Sequence, residues 1–181
     1  MRTRNRRGLG MMAALALLAA PVLAQEEEGA AAAGPVANGT AFGDWRVACQ
    51  AVAVGRTVCV LAQRIVARET GALVGEVTLR PAQGPEGAEA LLMTLTVPTG
   101  LALRARPAYR IPPAEEERAL DWETCGPRLC RAVRALGAEE VGALRAATSA
   151  RVGYRPLRAE GPVVFDLSLR GVTAGLAALG R

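Results

Sequence analysis

The residues with chemistry to offer are four cysteines in two close pairs, Cys49/Cys59 and Cys125/Cys130, in a chain that has no histidine and no lysine. The missing types narrow the field. Without histidine the commonest general base is missing, and with it any Ser-His-Asp or Cys-His arrangement and the ordinary zinc-hydrolase sites; without lysine the commonest amine nucleophile is missing too. Serine occurs only as Ser149 and Ser168, and Ser168 falls on the outward parity of an alternating run. Carboxylate chemistry stays open, because a glycosidase pair is assembled from residues distant in sequence. The run Glu115-Glu116-Glu117, after Pro112-Pro113, reads as a solvated charged loop. The residues therefore point to a protein without catalysis, cofactor or metal. The alternative is a carboxylate-based hydrolase acting on cell-envelope material.

The thiols read as staples. Four cysteines allow three pairings, and proximity favours Cys49–Cys59 and Cys125–Cys130, because short loops bring their ends together most often. Val54-Gly55-Arg56 lies between the first two, so that bridge would tie neighbouring strands; Gly126-Pro127 bends the chain between the second two. A zinc site prefers spacings near C-x2-4-C and a redox dithiol prefers C-x-x-C; neither spacing is present.

The compartment supports the same reading. Arg2, Arg4, Arg6 and Arg7 precede a short apolar run from Leu9 to Ala20, and Val22-Leu23-Ala24 forms a small-residue cleavage site. Residues 1–24 thus have the layout of a signal peptide, with an apolar run too short to span a bilayer. Arg6-Arg7 also allows a twin-arginine reading of the export route. The periplasm is the expected location, with outer-membrane association or secretion as variants, and disulfides persist there. The formal charge of +5 falls to +1 when the four signal arginines leave, so nucleic acid is not an expected partner. Residues 25–40 are acidic and then Ala/Gly-rich, a flexible lead-in. Residues 41–181 should form one domain, with no segment long and apolar enough to cross a membrane as a helix.

Around the cysteines the period-2 signal dominates. Trp45, Val47 and Cys49 alternate with polar or small residues, as do Leu73, Gly75, Val77 and Leu79; Leu91, Met93, Leu95 and Val97; and Phe165, Leu167 and Leu169. Thr57 to Val66 is apolar on both parities and reads as a central strand. Ala138 to Ala147, with Glu139 and Glu140 at its start, reads as a helix, and Val172, Leu176 and Leu179 line a short C-terminal one. The expected fold is mainly β: an antiparallel sandwich or barrel-like domain with one or two short helices.

Two binding features stand out. Arg104, Arg106 and Arg110, with Tyr109 among them, form a basic patch for an anionic envelope polymer or an acidic partner, or else a strand edge protected by charge. Trp45 shares the parity of Val47 and Cys49, which makes it a core residue beside the first bridge rather than a ligand-stacking ring.

The ordered motifs Gly43-Asp44-Trp45, Cys49, Cys59-Val60-Leu61-Ala62-Gln63, Glu69-Thr70-Gly71, Val97-Pro98-Thr99-Gly100, Cys125/Cys130 and Phe165-Asp166-Leu167-Ser168-Leu169 before Gly171 resemble the invasion-associated locus B family of secreted bacterial proteins. The resemblance covers about Phe42 to Leu179. It implies a β-rich, periplasmic or envelope-associated domain, a protein- or surface-interaction module with an envelope or host protein as partner. The family name links it to host-cell invasion. The resemblance carries no catalytic motif to transfer. Leu129 stands where the family usually has glycine, which bears on the geometry of the second cysteine loop.

Overall fold

The computed structural model describes residues 36–84, 87, 89–114 and 116–180. The expected signal segment and most of the lead-in lie outside them. Hydrogen bonding begins before residue 41: Gly39 N–H donates to Val47 O at 2.8 Å, and Cys49 N–H to the Asn38 side-chain oxygen at 2.9 Å.

The described chain is mainly β. A seven-stranded antiparallel sheet has the order β1 (Ala41–Phe42), β2 (Trp45–Ala53), β3 (Arg56–Val66), β4 (Leu73–Gln83), β5 (Glu89–Pro98), β9 (Leu129–Leu136), β8 (Asp121–Cys125). A second, four-stranded sheet has the order β11 (Val163–Ser168), β10 (Ser149–Tyr154), β6 (Ala108–Arg110), β7 (Arg118–Ala119). Helix α1 (Ala138–Ala146) links β9 to β10, and α2 (Val172–Ala178) follows β11. Successive antiparallel neighbours build most of the large sheet, and short turns with Gly55 and Gly71 at positive φ join β2 to β3 and β3 to β4.

Alternation puts Leu61, Val77, Leu79, Leu91, Met93, Leu95 and Val97 of the large sheet into one core with Val152, Phe165 and Leu167 of the small one. Gly75 belongs to this inner face because the Phe165 ring lies 3.0 Å from where a Cβ would stand. The Tyr154 hydroxyl crosses between the sheets and donates to Val74 O at 2.9 Å. Helix α2 lays Gly175 directly on Leu61, and buries Val172 and Leu176 beside it.

The central strand expected over Thr57 to Val66 forms within β3, and the charged strand edge is the expectation that needs correction. Thr57 to Val66 is flanked by strands on both sides, yet only Leu61 and Gln63 are buried. Its second apolar parity, Val58, Val60 and Ala62, lies on the outer face of the sheet, where no described layer covers it. The segment around Arg104 to Arg110 is not a sheet edge, because β6 pairs with β10 on one side and with β7 on the other. Strands β8 to β10 complete the sheets without a clear signal from the alternating runs above: β8 is short and mostly polar, β9 mixes arginines with short apolar stretches, and β10 alternates over only six residues.

Candidate functional site

The first disulfide joins Cys49 and Cys59, which face each other across β2 and β3. Beyond that rung the two strands pair only with each other, since β3–β4 pairing stops at Leu61–Leu79, next to Pro81, which has no N–H to give. The result is a two-stranded arm, Gln50 to Val58, whose residues are all exposed, including Val52 (49%) and fully exposed Val54. An unsupported two-stranded ribbon is marginal in water, and the cystine at its base holds its two chains in register. The arm's outward valines continue into a shallow basin of about 470 Å³ on the open face of the large sheet. Ala48, Val58, Val60 and Ala62 form its apolar half, and Thr78, Thr94 and Thr96 its polar half.

The second disulfide, Cys125–Cys130, closes the β8–β9 hairpin, where Gly126 N–H donates to Leu129 O at 2.8 Å. Leu129 begins β9 opposite Pro98, an extended position that makes no demand for glycine.

Trp45 is fully buried, and its Nε1–H donates to Ser168 O at 2.8 Å. The motifs that are scattered in sequence meet around it. Ser168 Oγ donates to Asp44 Oδ2 at 2.6 Å, and Arg170 binds the same oxygen through Nε and Nη2 at 3.0 and 2.8 Å. Those hydrogen bonds, Ser168's first and Arg170's second, hold the Asp44 carboxyl below the usual carboxylate range. Gly43 and Gly171, both at positive φ, let the two backbones touch: a Cβ on Gly171 would lie on the Phe42 carbonyl. This cluster is a latch between sheets with every group engaged.

The basic patch divides. Arg104 is exposed in the loop before β6 and makes no ion pair among the described residues. Arg106 and Arg110 line a hollow of about 350 Å³ on the outer face of the small sheet, together with Arg151 and Arg155. Tyr109 takes the opposite parity and is only 1% exposed, so its ring belongs to the core and not to the patch. Its hydroxyl donates to Glu140 Oε1 at 2.6 Å, an oxygen that also accepts from Arg134 Nε at 2.8 Å and lies 3.3 Å from Arg118 Nη1. Burial opposes ionisation of Glu140. The bonds from Arg134, Tyr109 and the Gly137 N–H outweigh it and leave the carboxyl below its ordinary value. Burial first, and the Glu140 bond second, push the Tyr109 hydroxyl well above the usual phenol range. Sequence reasoning missed Arg151 and Arg155; the available signal was the alternation Arg151-x-Gly153-x-Arg155 against Ala150, Val152 and Tyr154.

Among the described lining residues, each of the two charged hollows has a single carboxylate, Glu117 in one and Glu76 in the other. The described residues contain no group of three or more potential metal ligands and no helix long and apolar enough to cross a membrane.

Fold and site together define a disulfide-stapled antiparallel β-sandwich domain with an open sheet face. The chain belongs to the invasion associated locus B (IalB) protein family, whose sequence pattern matches residues 45–180. Two invasion protein B homologues of Brucella abortus, from strain 2308 and from biovar 1 strain 9-941, are each 33% identical over 135 residues, 75% of this chain and 75% of theirs. The crystal structure of invasion associated protein B from Bartonella henselae has the same fold, with a TM-score of 0.64 at 20% identity over 77% of this chain and 92% of that one.

Proposed function

We propose that this is an exported, non-catalytic envelope protein, directed to the periplasm by residues 1–24, that works as an interaction module for another protein. The observation that carries this reading is the β2–β3 arm with its adjoining basin. Val52, Val54 and Val58 are apolar β-branched residues set on a cross-linked ribbon and left in water. A fully buried valine contributes about 1.5–3 kcal/mol, so covering even two of them provides a useful part of a binding energy. The cystine keeps the ribbon in one shape and so lowers the ordering cost of association. The homologues' names bring host invasion into view as the setting for such an interaction. The hydrolase alternative requires two facing carboxylates in a groove, an arrangement that no described hollow offers.

A photo-crosslinking residue placed at position 52 or 58 should trap a discrete partner in intact cells, whereas position 70, in the Thr70-Gly71 turn, should not. Val58→Lys should abolish the adduct formed at position 52 without changing the melting temperature. Equal trapping from all three positions, or none from the arm, would refute the reading.

A further inference from the structure

On the small sheet, Arg110 of β6 stands directly opposite Arg151 of β10, and Ala108 directly opposite Gly153. Two residues further along each chain, Arg106 and Arg155 line the other end of the same hollow. Arg110 and Arg151 at one end and Arg106 and Arg155 at the other thus bracket a floor of the smallest side chains, which Val164 extends opposite Gly153. Like charges set directly opposite on a sheet are destabilising, and a local rule broken at Arg110 and Arg151 is the kind of departure expected where a ligand binds.

The protein's own carboxylates cover part of it. Asp166 lies 3.5 Å from Arg151 Nε, Asp121 lies 2.7 Å from Arg106 Nη2, and Glu117 sits on the rim. Arg110 is engaged as well, and Arg155, half-buried, makes no ion pair among the described residues.

We propose that this hollow on the four-stranded sheet is an anion-binding site for a ligand that carries at least two phosphate groups, one at each arginine pair. Guanidinium forks match phosphate oxygens in pairs, which suits them to this task better than point charges. Strand geometry separates Arg151 from Arg155 by about 13 Å between Cα atoms, and their long side chains lean over the floor, so a single phosphate does not satisfy both ends. The site lies apart from the β2–β3 arm, and either can fail without the other.

Tripolyphosphate, orthophosphate and phosphatidylglycerol vesicles serve as probes for calorimetry and flotation with the purified protein. Tripolyphosphate should bind at least ten-fold more tightly than orthophosphate, and its affinity should fall as salt is added. The double variant R151Q/R155Q should lose at least ten-fold, while R64Q on the other sheet should stay within two-fold of the parent. Gly153→Val fills the floor without touching a charge; its Cβ would stand a tolerable 3.5 Å from the nearest atoms, and the variant should lose binding while keeping its melting temperature. Binding to vesicles but not to tripolyphosphate, lost in the same variants, would support the site with a lipid surface as the source of phosphate. No binding of either probe, or equal losses in R64Q and R151Q/R155Q, would overturn the proposal.

Discussion

The side-chain amide of Gln63 pairs with the backbone of Ser168 as a strand would: Ser168 N–H donates to Oε1 at 3.0 Å, and Nε2 donates to Ser168 O at 3.0 Å. Nε2 also reaches Asp44 O at 3.3 Å. A buried glutamine of the large sheet thus completes the hydrogen bonding of the last strand of the small one, and Trp45 Nε1 shares the Ser168 carbonyl. Gln63→Ala should cost about 1–3 kcal/mol in urea denaturation, because it leaves the partly buried Ser168 N–H without its Gln63 partner. Gln63→Glu keeps the acceptor and loses the donor, so it should be worse at neutral pH and recover part of the loss in acid.

Trp45→Ala should cost roughly 3–5 kcal/mol, the penalty for emptying a large aromatic site. Trp45→Phe separates the two roles of the indole: it keeps most of the packing and gives up the bond to Ser168 O, a loss of about 1 kcal/mol. Thermal denaturation of both variants beside the parent measures this. An unchanged midpoint for Trp45→Ala would place the ring outside the core.

Removing the arm's cystine with Cys49→Ser/Cys59→Ser should cost about 2–3 kcal/mol by loop entropy. The more telling readout is local. Amide exchange should quicken from Gln50 to Val58, where no third strand supports the ribbon, and stay slow in β4 and β5. Uniform quickening would mean that the bridge acts on the whole domain.

Glu140 and Tyr109 set opposite ends of a pH profile. The folded carboxyl titrates below the ordinary glutamate value of about 4.3, so its contribution is complete above that pH and is lost as pH falls through the lower folded value. The folded phenol titrates above its ordinary value of about 10, so its contribution is complete below pH 10 and fades as pH rises beyond it. Glu140→Gln should flatten the acid limb, and Tyr109→Phe the alkaline one. Melting temperatures from pH 3 to 11 test both signs, and an unchanged acid limb in Glu140→Gln would assign the loss to other carboxylates.

Gly171→Ala should be among the most damaging single-atom changes, at more than about 2 kcal/mol. A methyl group there meets the Phe42 carbonyl on a backbone already at positive φ. Gly142→Ala, in open space on α1, should be neutral or stabilising, and equal effects at the two sites in chemical denaturation would contradict this packing.

Local pattern was enough to reveal much of this protein. Period-2 alternation marks which residues of β2, β4, β5 and β11 face inward, because strand geometry alone sends neighbours to opposite faces. Acidic residues at the start of Ala138–Ala146 and the spacing of Val172 and Leu176 mark both helices, and the signal layout with two close cysteine pairs indicates disulfides. Tertiary structure decided the rest. Whether the second apolar parity of β3 is covered depends on a layer that strand period does not encode, and the sandwich leaves Val58 and Val60 in the open. Tyr109 looks exposed beside three arginines, yet parity and the approach of α1 turn it onto Glu140. The distant Arg106/Arg110 and Arg151/Arg155 become one hollow only through the β6–β10 register. Pairing between strands some forty residues apart is set by the packing of whole sheets, and no local window contains that information.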